Sequence, residues 1–277
     1  MASGKGTKGG VVYDVGSWRL GDDGSIYRYG RLKYSNGDIY DGEWLNGKRH
    51  GKGVLKFAEG GSYIGEFGEN FYHGFGLLTI PKSQHVLTKK WIPGERYEGE
   101  FAQGRKHGKG TAKTRDGNSY DGFFIDGYYH GKGTCAYANG DVYDGNWVHG
   151  KWQGHGELRF RDGSSGGKLG SYVGHYVQGK RHGKGLRVFG SSDKKQYEGE
   201  WEEDEPHGVG VVECATYKLV GQFVRGKEYG HGAMSFANGE SYEGYFEDGF
   251  FSGLGTMCAM EMATCCTQTV IVCSVRS

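Results

Sequence analysis

Proline is almost missing from this chain of 277 residues, which holds only Pro81, Pro93 and Pro206. Disordered chains also lack the aromatics needed to offset ordering entropy, whereas this one carries 20 Tyr, 14 Phe and 6 Trp. Disorder is excluded on that ground. A charge excess is missing too: 34 Lys plus Arg face 33 Asp plus Glu, which argues against nucleic acid as a partner. The six cysteines, Cys135, Cys214, Cys258, Cys265, Cys266 and Cys273, lack the paired spacing of a zinc site. Met1–Gly10 does not resemble a signal peptide, and Ala2 stands where myristoylation needs glycine. No apolar run reaches the roughly 18 residues of a membrane-spanning helix. The expectation is a cytoplasmic protein with free thiols.

What the chain does have is glycine, 55 residues of it, about three times the usual share. The glycines are in register. The pattern Tyr-x-Gly-x-aromatic opens at Tyr40, Tyr63, Tyr97, Tyr120, Tyr143, Tyr172, Tyr197, Leu219 and Tyr242, with a base separation of 23 residues. In the first repeat, Tyr40-Asp-Gly-Glu-Trp44 is followed by a turn at Asn46-Gly47 and then by His50-Gly51-Lys-Gly53-Val-Leu-Lys-Phe57. Two alternating runs closed by a Gly-containing turn are the mark of a β-hairpin. Repetition makes the fold class all-β: a long, twisted, single-layer antiparallel meander.

Strand side chains alternate between faces. Tyr40, Gly42 and Trp44 share one face, and Asp41 and Glu43 the other. Gly51, Gly53 and Leu55 have one parity on the return strand, and His50 and Lys52 the opposite. The expected outcome is bare backbone under flat rings: an aromatic groove on one face and charge on the other. The groove would be lined by Tyr40, Trp44, Tyr63, Phe67, Tyr97, Phe101, Tyr120, Phe124, Tyr143, Trp147, Tyr172, Tyr176, Tyr197, Trp201, Phe223, Tyr242 and Phe246. It is the candidate partner-binding site.

These residues resemble the MORN (membrane occupation and recognition nexus) repeat, as in Tyr120-Asp-Gly-Phe-Phe124, Gly127 and His130-Gly131-Lys-Gly133. The chain then reads as a flexible segment over 1–13, a degenerate leading repeat over 14–39, nine repeats over 40–258, and an atypical Cys-rich tail over 259–277. Insertions fall near 82–96 and 164–171. The first, bracketed by Pro81 and Pro93 and containing Trp91, is a candidate specificity element; the second reads as a passive loop. The tail departs from the pattern. Codons for Met260-Glu261-Met262, read one base earlier, encode a glycine flanked by residues close to the missing Asn-Gly-Asp turn. A frame-shifted continuation is one expectation, tested by mass spectrometry of Cys265–Ser277; a capping strand over Thr267–Val275 is the other.

Chemistry-bearing patterns reduce to structure. Phosphate-cradling loops occur once, between a strand and a helix, but here Gly-x-Gly recurs in every repeat. Six histidines, His50, His73, His107, His130, His182 and His207, share one repeat position. Equivalent positions lie two strands apart, about 9–10 Å, too far to share a tetrahedral ion. They read as a solvated ladder, and no metal or cofactor is expected. Asp41, Glu43, Glu98, Glu100, Glu198 and Glu200 face Lys52, Lys109 and Lys184, suggesting cross-strand ion pairs. No nucleophile motif stands out, so catalytic residues and enzymatic activity are not expected.

Function is expected to be scaffolding, with the groove clasping an extended or helical protein segment and aromatic anchors as hot spots. A terminal strand offers an edge for a homodimer. The resemblance implies a cytoskeletal setting, with radial-spoke head components of ciliary and flagellar axonemes as the model. The alternative is a membrane adaptor that meets anionic phospholipid through basic turns at Lys48, Arg49, Arg105, Lys106, Lys180 and Arg181.

Overall fold

In the computed structural model, residues 5–8, 11–84, 91–162, 168–258 and 267–272 are described, and among them there is no helix. Every repeat is a hairpin. The first pairs Ile39–Leu45 with Lys48–Lys56, the third Glu95–Ala102 with Arg105–Lys113, and the seventh Gln196–Glu202 with Glu205–Glu213. The chain divides into two lobes, Met1–Ala138 with Val148–Gly150 and Asn139–Trp147 with Lys151–Ser277. Within each, strands that follow one another in sequence pair antiparallel, except at the first insertion, where Phe71–Ile80 pairs directly with Glu95–Ala102. The layer is one sheet thick, as the alternating pattern requires.

The turns explain the glycines between strands. Asn46 and Gly47 take φ of 50° and 81°, and Asp126 and Gly127 take 51° and 89°. This is the left-handed pair that matches a hairpin to strand twist. Successive turns are tied by one backbone hydrogen bond per repeat. Asn70 N donates to Arg49 O at 3.1 Å, Gly104 N to Tyr72 O at 2.9 Å, and Gly226 N to Pro206 O at 2.9 Å. At the other end of the strands, side chains do this work: Ala58 N donates to Asp38 Oδ1 and Ala138 N to Asn118 Oδ1, at 2.8 and 3.0 Å.

The hairpins also hold a feature that simple alternation does not contain. In each repeat the register jumps beyond the central glycine pair: Gly122 faces Gly133, but Phe123 faces His130. Two residues, Gly131 and Lys132, bulge out of the ladder. The first of them is always glycine, with φ of 59° at Gly131 and 54° at Gly51, a backbone state that costs an L side chain roughly 1–2 kcal/mol. Gly51 and its equivalents are thus needed for their backbone, whereas Gly53 and its equivalents are needed for space.

Several segments differ from expectation. Residues 1–13, expected to be flexible, contribute the strand Lys5–Lys8 and the start of Val11–Leu20, which pair with each other. The leading repeat is a hairpin of Val11–Leu20 with Ile26–Lys33. In the first insertion, Ser83–Gln84 pairs with Trp91–Ile92, and 85–90 lie outside the described residues. The second insertion is not wholly a loop. Residues 168–171 extend a strand that starts at Lys168, and Asp162 pairs with Lys168. In the tail, Thr267–Val272 pairs with the last return strand, Phe250–Cys258. Cys265, Cys266 and Cys273 lie outside the described residues.

Candidate functional site: the ring face

Each opening tyrosine lies flat on the glycine pair of its own hairpin. A Cβ built on Gly42 or Gly53 would fall within 3 Å of the Tyr40 ring or hydroxyl, and the same holds from Gly65 and Gly76 to Tyr63. Bare backbone is what admits the ring. The hydroxyl then donates to a carbonyl of the same hairpin: Tyr40 to Glu43 O at 2.8 Å, Tyr63 to Glu66 O at 2.8 Å, Tyr197 to Glu200 O at 2.9 Å. Burial pushes these hydroxyls well above the ordinary phenol range, with Tyr172 at about 12.

The fifth-position rings lock the tyrosines edge-on. Tyr40 meets Trp44 of its own repeat at 4.9 Å and Phe67 of the next at 5.0 Å. Tyr63 meets Phe67 and Phe101, Tyr97 meets Phe101 and Phe124, and Tyr120 meets Phe124. In the second lobe, Tyr143 meets Trp147 and Tyr176, Tyr172 meets Tyr176 and Trp201, and Tyr197 meets Trp201 and Phe223. Tyr242 meets Phe246. Such edge-to-face pairs contribute about 0.5–1.5 kcal/mol each beyond burial.

This arrangement corrects the expected groove. The rings named as its lining are 0–4% exposed, Trp44 excepted, which is half-buried. They are consumed in contacts with one another and with backbone. They form the core of the meander and offer a partner almost no surface.

What lies over them is a row that strict attention to the repeated residues overlooks: the second residue of each return strand. The bulge keeps parity, so Arg49 faces Trp44, Tyr72 faces Phe67, Lys106 faces Phe101 and Tyr129 faces Phe124. In the second lobe, Arg181 faces Tyr176, Pro206 faces Trp201, Glu228 faces Phe223 and Phe251 faces Phe246. These side chains are half-buried, and the aromatic ones stack flat on the tyrosines. Tyr72 lies 3.9 Å from Tyr63, Tyr129 3.8 Å from Tyr120, Trp152 4.6 Å from Tyr143 and Phe251 4.0 Å from Tyr242. The sequence signal was present in the residues just after each turn, which vary while the tyrosines and glycines do not.

The six basic residues expected at a lipid surface divide accordingly. Arg49, Lys106 and Arg181 belong to the ring face, not the outer turns. Arg49 lies 5.5 Å from the Phe67 centroid and donates to Asn70 O at 2.7 Å. Lys106 bonds Glu95 at 2.7 Å, and Arg181 lies 4.4 Å over Trp201 while bonding Asp204. Lys48, Arg105 and Lys180 do stand exposed on the turns, but they pair with Glu69, Asp126 and Glu203 of the next turn.

On the opposite face the expected Glu–Lys ion pairs give way to another bond. Glu43 Oε1 accepts the Lys52 backbone N–H at 3.3 Å, and Glu100 Oε1 that of Lys109 at 3.1 Å. The carboxylates satisfy amides that the bulge has freed. Glu98 pairs with Arg96 at 2.6 Å. Among the described residues, no group of three or more His, Cys, Asp or Glu side chains is assembled to hold a metal ion.

Comparison with known families matches the MORN repeat model at residues 40–62, 63–84, 97–119, 120–142, 143–165, 172–194, 197–217, 220–241 and 242–259. The chain belongs to the MORN repeat family. Eight of the nine matched MORN repeats open on the tyrosine described above, while the eighth opens one residue after Leu219. A stretch of 96 residues is 32% identical to mouse Alsin and 31% identical to human and chimpanzee Alsin. It covers 32% of this MORN chain and only 6% of each Alsin. MORN repeats are in general a non-catalytic, partner-binding module, and no enzymatic family is indicated.

Proposed function

We propose that the chain is a non-catalytic scaffold that binds partner proteins along the ring face of its MORN repeats. The observation that carries this is a constant frame under a variable row. The tyrosines, glycine pairs and fifth-position rings repeat and are buried, whereas the half-buried row above them reads Arg49, Tyr72, Lys106, Tyr129 in one lobe and Trp152, Arg181, Pro206, Glu228, Phe251 in the other. Folding requires the frame, which leaves the row free to encode specificity. An extended or helical segment laid across the hairpins would meet one row residue per repeat. The setting we favour is a cytoplasmic, cytoskeletal assembly of a cilium or flagellum, by resemblance to radial-spoke head components. Cross-linking of the tagged protein in ciliated cells tests the setting, and recovery only with non-cytoskeletal partners refutes it. Tyr72→Ala and Trp152→Ala should abolish capture of the cross-linked partner while the hairpins stay folded. If folded Tyr72→Ala and Trp152→Ala variants both capture normally, the ring face is not the binding surface.

A homodimer is proposed at the leading edge. Val11–Leu20 is paired with Ile26–Lys33 on one side and, among the described residues, Lys5–Lys8 covers its Val11–Asp14 portion on the other. Further along the same strand stand Trp18 and Leu20, 61% and 64% exposed. Light scattering of a Trp18→Lys variant tests this, the expected change being dimer to monomer.

A second reading, contact with anionic phospholipid, draws on the turn rim of the first lobe. There Phe71 and Tyr128, 55% and 57% exposed, stand at the same repeat position as Lys48 and Arg105. Rings that enter the interface beside cations would bind vesicles of phosphatidylserine and release them as salt rises. Absence of vesicle binding at low salt eliminates it.

A further inference from the structure

Among the histidines off the regular ladder, two sit on adjacent strands at facing positions. His155 occupies the return-strand position held by Lys52, Lys109, Lys132 and Lys184 in other repeats, and His175 the opening-strand position held by Glu43, Glu66, Glu100 and Glu200. The register sets them directly opposite each other, between the pairs Gly154–Tyr176 and Gly156–Gly174. Both are exposed, and their ring centroids are 6.0 Å apart at an interplanar angle of 86°.

We propose that His155 and His175 chelate a divalent first-row transition ion, Cu2+ most tightly, with solvent completing the coordination. Imidazole suits this class of metal, and Cu2+ heads its affinity order. A metal–nitrogen distance of about 2.0–2.1 Å places each ring centroid about 3.2 Å from the ion, so cis ligation needs centroids about 4.5–5.2 Å apart. The observed separation exceeds that by about 1 Å. Directly opposed strand positions have Cβ atoms about 4.5–5.5 Å apart, so exposed rings close the gap by side-chain rotation alone. Equivalent ladder histidines lie two strands apart and cannot do this with one another, although one of them, His130, has the off-ladder His149 at 5.7 Å between ring centroids. His107, for example, has Lys113 and Lys109 along its own face and Glu100 across the bulge instead of a second imidazole.

The surroundings favour the pair. Asn146 Nδ2 donates to the His155 carbonyl at 3.2 Å and fixes that strand. The two histidines belong to the strands Lys151–Asp162 and Lys168–Val177, which flank the Gly-rich insertion. A bound ion would staple the two strands on either side of that insertion. Ligation requires neutral imidazoles, so occupancy falls on acidification.

The test uses the untagged full chain with exposed thiols blocked, titrated with Cu2+ and followed by calorimetry and by electron paramagnetic resonance. In a His130→Asn background, which removes the other close imidazole pair, one site is expected, with nitrogen couplings from at least two imidazoles and a thermal midpoint that rises with Cu2+. His155→Asn and His175→Asn should each weaken the site at least tenfold, and His107→Asn should leave it unchanged. The proposal is overturned if no stoichiometric imidazole signal is seen, if both off-ladder variants bind as the parent does, or if His107→Asn weakens binding equally. Circular dichroism of the metal-free variants separates lost ligation from lost folding.

Discussion

A single methyl group at two equivalent glycines should have opposite consequences. Gly199 and Gly221 occupy the same place in adjacent repeats, but the first lies under Tyr197 and the second under Leu219. A Cβ on Gly199 would sit 2.5 Å from Tyr197 Oη and 2.6 Å from Gly210 Cα, roughly 0.8 Å inside ordinary van der Waals contact. The ring cannot retreat, since it is held edge-on between Trp201 and Phe223. Overpacking of this kind costs about 1–3 kcal/mol, and displacement of the hydroxyl from Glu200 O forfeits about 1 kcal/mol more. Gly199→Ala should therefore destabilise by about 2–4 kcal/mol. On Gly221 the nearest atoms would be Gly232 Cα at 3.4 Å and Leu219 Cδ2 at 3.6 Å, so the methyl fits. Loss of unfolded-chain freedom should then make Gly221→Ala neutral or stabilising by up to about 1 kcal/mol. In a Leu219→Tyr background the tolerance should vanish, because the new ring needs the space. The assay is denaturant unfolding, with hydrogen exchange to localise the effect to its repeat. Equal costs at the two glycines, or no coupling between Leu219→Tyr and Gly221→Ala, would refute the account of glycine as a seat for the ring.

Other outcomes follow from the same geometry. Tyr63→Phe keeps the ring but loses the bond to Glu66 O, and should lower stability by about 1 kcal/mol in chemical denaturation. Folding raises the hydroxyl pKa of Tyr129 and Tyr172 from 10.0 to about 12. The folded state thus holds protons that the unfolded chain gives up, and stability, complete below pH 10, falls as pH rises toward 12. Absorbance at phenolate wavelengths should rise cooperatively with loss of circular dichroism; gradual ionisation with the fold intact would contradict this. Asp204→Ala frees the guanidinium of Arg181 from its carboxylate partner while it lies over Trp201, and a drop of about 1 kcal/mol is expected, the partly exposed carboxylate limiting its size.

The meander and its period were legible because they follow from short-range rules. Positive-φ turns demand glycine or asparagine, and a ring laid on backbone demands glycine at every second place. The parity of Tyr40, Gly42 and Trp44 came directly from strand geometry. The bulge was not legible, because Gly51 and Gly53 look alike in sequence although one serves φ and the other space. Grouping Lys48, Arg49 and His50 as one turn cluster is what assigns Arg49, Lys106 and Arg181 to the wrong surface, since their parity, which the bulge keeps, already places them on the ring face. Tyr72, Tyr129 and Trp152 escape notice because their position varies from repeat to repeat. Burial was the second blind spot. Alternation says which residues share a face, but not that neighbouring repeats close over Tyr63 and Phe67 so completely that no groove remains at their level.

The sharing of Tyr63 between Phe67 and Phe101 means that no repeat owns a finished interior. A chain cut after the second repeat would keep Tyr63 and Phe67 but strip away the edge supplied by Phe101. Shortened versions thus inherit a sticky terminus wherever they are cut, and their solubility depends on which residue is placed over the last open tyrosine.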